Sequence, residues 1–161
     1  MSTNLGTNLP TAAQALLSGD NLDQKAGTGF LLVSQQEDGF PHAMVLSPGE
    51  VLASDSSTLR FALFAQSSTS RNMQARPAAM MCFACDGAAY YVKCEARFLP
   101  SAAGVPEGLA LFVAPIKTVL EDREPSAVVT SGFHFTDKRT PEEIRAQWDA
   151  SIAAMRGAKA G

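Results

Sequence analysis

Residues 29–53, GFLLVSQQEDGFPHAMVLSPGEVLA, decide the fold. The run 28–34 has the length and apolar density of a buried strand. Glu37-Asp38-Gly39 supplies an Asp-Gly turn, a strong short-range hairpin signal. Residues 41–47 read as the return strand, Pro48-Gly49 as a second turn, and 51–53 as a short third strand. Outward from there, 59–65 is another apolar strand. It runs into Ser67-Ser68-Thr69-Ser70-Arg71-Asn72, four consecutive hydroxyls followed by a guanidinium and an amide. A short helix over 72–75 follows, closed by Pro77.

Residues 78–85 and 88–99 form a second expected hairpin around Asp86-Gly87. Its second strand alternates cleanly: Tyr90, Val92, Cys94, Ala96 and Phe98 share one face, and Tyr91, Lys93, Glu95 and Arg97 the other. The runs near Leu31, Phe61 and Met80 are apolar on both faces, as in a barrel whose outer wall is covered by helices or a second subunit. Residues 109–120 are mostly apolar, but Pro115 inside them argues for a bulged or edge strand. A final short strand is expected over 131–135.

Two helices flank the strands. Residues 10–17 give a short one ended by Gly19. Thr140-Pro141-Glu142-Glu143 starts the other with a Thr cap, Pro at the first helical position and Glu completing a capping box. Ile144, Trp148, Ile152 and Met155 form its apolar stripe. The fold expected is mostly β, a small barrel with peripheral helices, in one domain over 10–156. A loose tail is expected over 1–9 and a frayed one over 157–161.

Composition narrows the function class. The 161 residues are 46% hydrophobic and 18% charged, with a formal net charge of −3. Nucleic-acid binders carry a basic footprint, and none is visible. No apolar run approaches the roughly 20 residues of a membrane helix. Residues 1–10 contain no Lys or Arg and no apolar core, unlike a signal peptide. With three cysteines that suit a reducing compartment, the expected address is cytoplasmic. Cys82 and Cys85 form a C-x-x-C, but lie in a continuous apolar run without a second ligand pair, so buried structural cysteine is the preferred reading over metal.

The hydroxyl run admits two readings. It can cap a helix, with Ser68 or Thr69 as the cap. It can also hold an anion, because hydroxyls and backbone N–H groups at a helix start are what a phosphate needs. Both uses can coexist.

The order of GFLLVSQQEDGFPHAMVLSPGEVLA, TLRFALFA (58–65), SSTSRNMQARP (67–77) and YYVKCEARFL (90–99) resembles the FMN-binding split barrels related to pyridoxamine 5′-phosphate oxidase, over roughly residues 27–136. The resemblance implies a split β-barrel, a homodimer, and FMN at the subunit interface. That family's Ser-x-Thr/Lys-x-x-Asn pattern falls on Ser67, Thr69 and Asn72, which are thereby expected at the FMN phosphate, with Ser68 among them. The strand carrying Met44, Val45, Leu46 and Ser47 would present backbone groups to the flavin ring. Arg71 and Arg76 are candidate electrostatic partners of the phosphate. The chain's end, residues 153–159, lacks the Arg-and-His substrate segment of pyridoxamine phosphate oxidases proper. The resemblance therefore extends to shorter members of the family rather than to that activity.

Other residues carry weaker signals. His42 and His134 are the two histidines; His134, between Phe133 and Phe135, is the one favoured near a ligand. Trp148, the single tryptophan, could stack on a flavin, although its helical stripe points to docking. No nucleophilic triad, Walker loop or dinucleotide fingerprint is present, and no catalytic residue is assigned. A flavoprotein needs none of these, because the cofactor carries the electron chemistry. The leading expectation is an FMN-dependent oxidoreductase acting on a small molecule. The alternative is a binding module without turnover, holding flavin, deazaflavin or haem.

Overall fold

The computed structural model describes residues 1–159. Its ten strands are β1 (Ser2–Asn4), β2 (Thr28–Gln35), β3 (Pro41–Leu46), β4 (Val51–Asp55), β5 (Thr58–Phe64), β6 (Ala78–Cys85), β7 (Ala88–Glu95), β8 (Arg97–Phe98), β9 (Leu109–Asp122) and β10 (Phe133–His134). Three helices accompany them: α1 (Thr11–Leu16), α2 (Ser68–Ala75) and α3 (Pro141–Gly157). One 3-10 turn, Leu22–Lys25, precedes β2.

All the pairings are antiparallel, in the order β10-β2-β6-β7-β9-β5-β4, with β3 on β2, and β1 and β8 on β9. The long strand β9 makes the sheet curl. Its first half pairs with β5 from Leu109 to Pro115, and its second half pairs with β7 from Ile116 to Asp122. Pro115 sits at the changeover, next to a register shift at Lys93/Cys94. A proline there removes a ladder donor where the strand must bend, so the bulge expected from sequence is present. The edge placement is not, because β9 is paired along both halves.

Asp86 and Gly87 both adopt positive φ, 48° and 77°, as a two-residue turn between β6 and β7 requires. The inner face of the curl holds the main core, including Phe30, Leu32, Leu46, Phe61, Leu63, Met81, Tyr90, Val92 and Phe112. Burial of each such side chain contributes about 1.5–3 kcal/mol. Phe83 joins the core by stacking on Tyr90, with ring centroids 5.4 Å apart.

A second core explains why β4, β5 and β9 are apolar on both faces. Leu52, Ala62 and Leu111 point outward and pack against Ile152, Ala154 and Met155 of α3. The cover over the Phe61 run is therefore a helix of the same chain, while α3 does not reach the runs near Leu31 and Met80. Arg60 of β5 reaches the end of α3, where Nη1 donates to the carbonyls of Met155 and Ala158. These are C-terminal carbonyls with no partner inside the helix, and a guanidinium is favourable at that end of the dipole. The capping box at Thr140 and Glu143 forms as expected.

Several expectations are corrected. The segment 1–9 is not loose: β1 pairs with Leu120–Asp122 of β9, and Leu9 is buried. Backbone pairing with a distant strand holds this polar segment. At the other end, α3 continues to Gly157 and Ala158 is buried. The remainder of the expected frayed tail, residues 160 and 161, lies outside the described residues. Helix α2 begins at Ser68 rather than near 72, and Ser67, not Ser68 or Thr69, is its cap. Phe98 does not share the buried face of β7. That strand ends at Glu95, Ala96 donates to Pro77, and the chain turns onto the other half of β9, leaving Phe98 partly exposed.

Candidate functional site

Two neighbouring regions collect most of the sequence candidates. The first is the start of α2. The Ser67 hydroxyl accepts from the Ser70 N–H at 3.1 Å, and the Ser70 hydroxyl donates to the Phe64 carbonyl at 2.7 Å. Both groups are spent on the turn itself. Among the described residues, the N–H groups of Ser68 and Thr69 have no acceptor. Ser68 is exposed, and Arg71 folds back over this turn, with Nη1 on the Gln66 carbonyl and Nη2 3.4 Å from Ser68 Oγ.

Thr69 is 1% exposed, and its Oγ1 is buried without a hydrogen-bond partner. An orphaned buried hydroxyl costs about 1–3 kcal/mol, so this atom stands out. Asn72 Nδ2 donates to Ser34 Oγ at 3.1 Å, tying α2 to β2. Arg76 closes α2 at the opposite end, about 12 Å along the axis from its start.

The second region is a cavity of about 490 Å³ roofed by α3. Its lining includes Val45, Ser47, Glu50, Phe64, Phe135, Asp137, Arg139, Trp148 and Ser151. Sequence reasoning found Val45, Ser47 and Trp148. It missed the others, which come from segments with no local signature.

The turn after β3 builds this cavity. Ser47 and Glu50 close it twice, Glu50 N–H to Ser47 carbonyl at 3.1 Å and Ser47 N–H to Glu50 Oε2 at 2.6 Å. Between them Gly49 lies flat under Trp148. A Cβ added there would sit 2.2 Å from the indole.

Met44 is partly buried against the core and Leu46 fully so. The β3 candidates thus alternate, with Val45 outward and Leu46 inward. His134 is exposed on β10 and lines a separate cavity with Thr28, Cys85 and Asp86. It is not brought to the α3 cavity. His42 is half-buried on β3, and its carbonyl lies 3.5 Å from the Ser34 hydroxyl. Cys82 and Cys85 are half-buried and free, with burial pushing both thiols up.

Electrostatics in the α3 cavity are uneven. Hydrogen bonds from Arg139 hold Asp137 down at about 2. Glu50 is pushed above its ordinary 4.5 by burial, against the pull of the Ser47 N–H and of Arg139. The native state binds the Glu50 proton more tightly than the unfolded chain does, so ionising Glu50 destabilises the fold. That penalty is absent below about pH 4.5 and is complete above the raised value. Glu50→Gln is expected to raise the melting temperature at pH 7. The gain should shrink as pH falls and vanish below about 4.5, as thermal melts across pH would record. A variant less stable than the parent at pH 7 would contradict this assignment.

The comparisons with known proteins fit this architecture. The chain is 33% identical over 141 residues to the uncharacterized protein YclD of Bacillus subtilis (strain 168), covering 88% of this chain and 91% of that protein. No family model matches. Among solved structures, a candidate pyridoxamine 5′-phosphate oxidase of Lactobacillus delbrueckii superposes with a TM-score of 0.54 at 20% identity, over 72% of this chain and 97% of that one. An F420 reductase superposes with a TM-score of 0.52 at 17% identity, over 69% and 98%. HupZ of Group A Streptococcus gives 0.53 at 13% identity, over 71% and 95%.

The sheet curled around β9, with its three helices, has the split-barrel fold of these solved structures. Within that fold, the chain belongs to the family of YclD.

Proposed function

We propose that the chain is a homodimeric flavoprotein that holds FMN between β3 and the start of α2 and serves as an oxidoreductase for a small molecule. The observation that carries this reading is the donor set at α2. Two backbone N–H groups without acceptors, the exposed Ser68 hydroxyl, the Arg71 guanidinium and the orphaned Thr69 Oγ1 are the chemistry a phosphate monoester requires. These residues fit the group. Ser67 contributes by holding the turn rather than by offering its own hydroxyl.

When bound, FMN would supply hydride or electron-pair transfer. The chain's part is to bind and orient it. Asn72 and Ser34 fix α2 against β2, and Val45 and Ser47 lie on the strand and turn beside the α3 cavity. Names borne by two proteins of this fold, F420 reductase and pyridoxamine 5′-phosphate oxidase, are consistent with redox use of the scaffold.

Dimerisation has its own support. Phe64, Phe133 and Val45 are 58%, 53% and 44% exposed. Val45 and Phe133 both border Gly29, so they form one apolar patch beside the cavity. A second copy covering this patch would remove it from water.

Light scattering and a flavin titration together test the reading. The expected result is a mass of two chains, with FMN fluorescence quenched at about one flavin per chain. A monomer that leaves flavin fluorescence unchanged would overturn it.

A further inference from the structure

The α3 cavity carries a charge imbalance that the flavin reading does not use. Three charged side chains line it: Glu50, Asp137 and Arg139. Arg139 is committed to its neighbours through three of its five N–H groups. Its Nε donates to Asp137 Oδ1 at 2.9 Å, Nη2 donates to Asp137 Oδ2, and Nη1 donates to Gln147 Oε1. Asp137 is likewise consumed, with both oxygens on that guanidinium. The pair is closed and neutral.

Glu50 remains. Its carboxylate accepts from the Ser47 N–H at 2.6 Å, with the Ser47 hydroxyl beside it, and among the described residues it forms no ion pair. The cavity therefore presents one unneutralised carboxylate, half-buried, among Val45, Phe64, Phe135 and Trp148.

We propose that this cavity is a binding subsite for a small planar organic cation, such as an aryl amidinium, with its positive N–H groups on Glu50 and its ring among the aromatic side chains. Charge and size both select this class. An anion would meet two carboxylates, Glu50 and Asp137, against the single Arg139. A neutral apolar molecule would strip water from a carboxylate and return no hydrogen bond. A cationic N–H donor gives the carboxylate the charged partner it lacks, through a charge-assisted bond, and aromatic faces attract it further. A volume near 490 Å³ suits a ring-sized molecule. The inference rests on the flavin reading only in naming this as that protein's substrate class, through the shared residues Val45 and Ser47; binding itself needs no flavin.

Trp148, the single tryptophan, lines the cavity and reports on it directly. The experiment titrates the wild-type chain with benzamidine and with benzoate, which share a ring and differ in charge, following Trp148 emission with and without FMN. Benzamidine is expected to give a saturable change and benzoate none. Glu50→Gln should weaken benzamidine by about tenfold or more, with its thermal melt showing that it is folded. Equal binding of both probes, no saturable response to benzamidine, or undiminished binding to the variant would overturn the proposal. Benzamidine binding by a chain that ignores FMN would sustain the subsite and end the flavin reading. FMN binding without benzamidine binding would do the reverse.

Discussion

Gly49→Ala is expected to lower the melting temperature by about 6–12 °C, from a destabilisation near 3 kcal/mol at about 2–4 °C per kcal/mol for a chain of this size. The cause is steric. The new methyl would lie 2.2 Å from Cγ and Cδ1 of Trp148 and 2.7 Å from its Cβ. Trp148 is 4% exposed and sits on the α3 face that carries Ile152 and Met155 into the outer core. The clash is relieved only by pushing the indole off its packed position toward the cavity or by lifting α3 from the turn, and either loses contacts.

Two readouts make the cause visible. Trp148 emission should move to the red as the indole meets water. In a Trp148→Ala background, which removes the two 2.2 Å approaches and leaves only the Cβ contact at 2.7 Å, Gly49→Ala should cost clearly less than in the parent, a coupling typical of residues in direct contact. A single variant that melts within about 2 °C of the parent with unshifted emission would refute the packing described.

Ser68→Asp is expected to reduce FMN affinity by about a hundredfold while leaving the fold as stable as before, or more so. Ser68 is the exposed hydroxyl of the first turn of α2, between a guanidinium and free backbone N–H groups. A carboxylate there is favourable to the helix by about 0.3–1 kcal/mol, through the same partial positive charge that would attract a phosphate. It would take the anion's place and repel what remains.

Stability and affinity thus move in opposite directions, which a purely structural role for this turn cannot produce. Isothermal titration with FMN beside a thermal melt separates the two. A variant that loses stability and keeps affinity would reduce the hydroxyl run to a helix cap.

Local chemistry made much of this fold legible. Asp86-Gly87 announces a turn because few other pairs tolerate two positive φ values. Thr140-Pro141-Glu142-Glu143 announces a helix start because each residue satisfies a separate requirement of the first turn. The alternation of Tyr90, Val92 and Cys94 shows which face is buried, and all three are.

What stayed hidden depends on approach between distant segments. Pro48-Gly49 reads as a turn, but no local signal says that a tryptophan about 100 residues later will press on it. Ser2–Asn4 has no apolar pattern, and becomes a strand only by pairing with the second half of β9 on the side away from β7. The site divides the same way. The hydroxyl run is contiguous and was visible at once. The cavity draws Glu50, Phe64, Phe135 and Arg139 from three stretches of chain, and nothing within any one of them marks its neighbours. Asp137 and Arg139 are only two residues apart, yet their spacing predicts a local ion pair and not the wall of a cavity.

The central claim is that the start of α2 holds a phosphate that belongs to a flavin. The direct measurement is the affinity of the wild-type chain for FMN and for riboflavin, which differ only in that phosphate. FMN should bind at least about a hundredfold more tightly, and Ser68→Asp should erase the difference by weakening FMN alone. Equal affinities for the two flavins, or no binding of either, would contradict it.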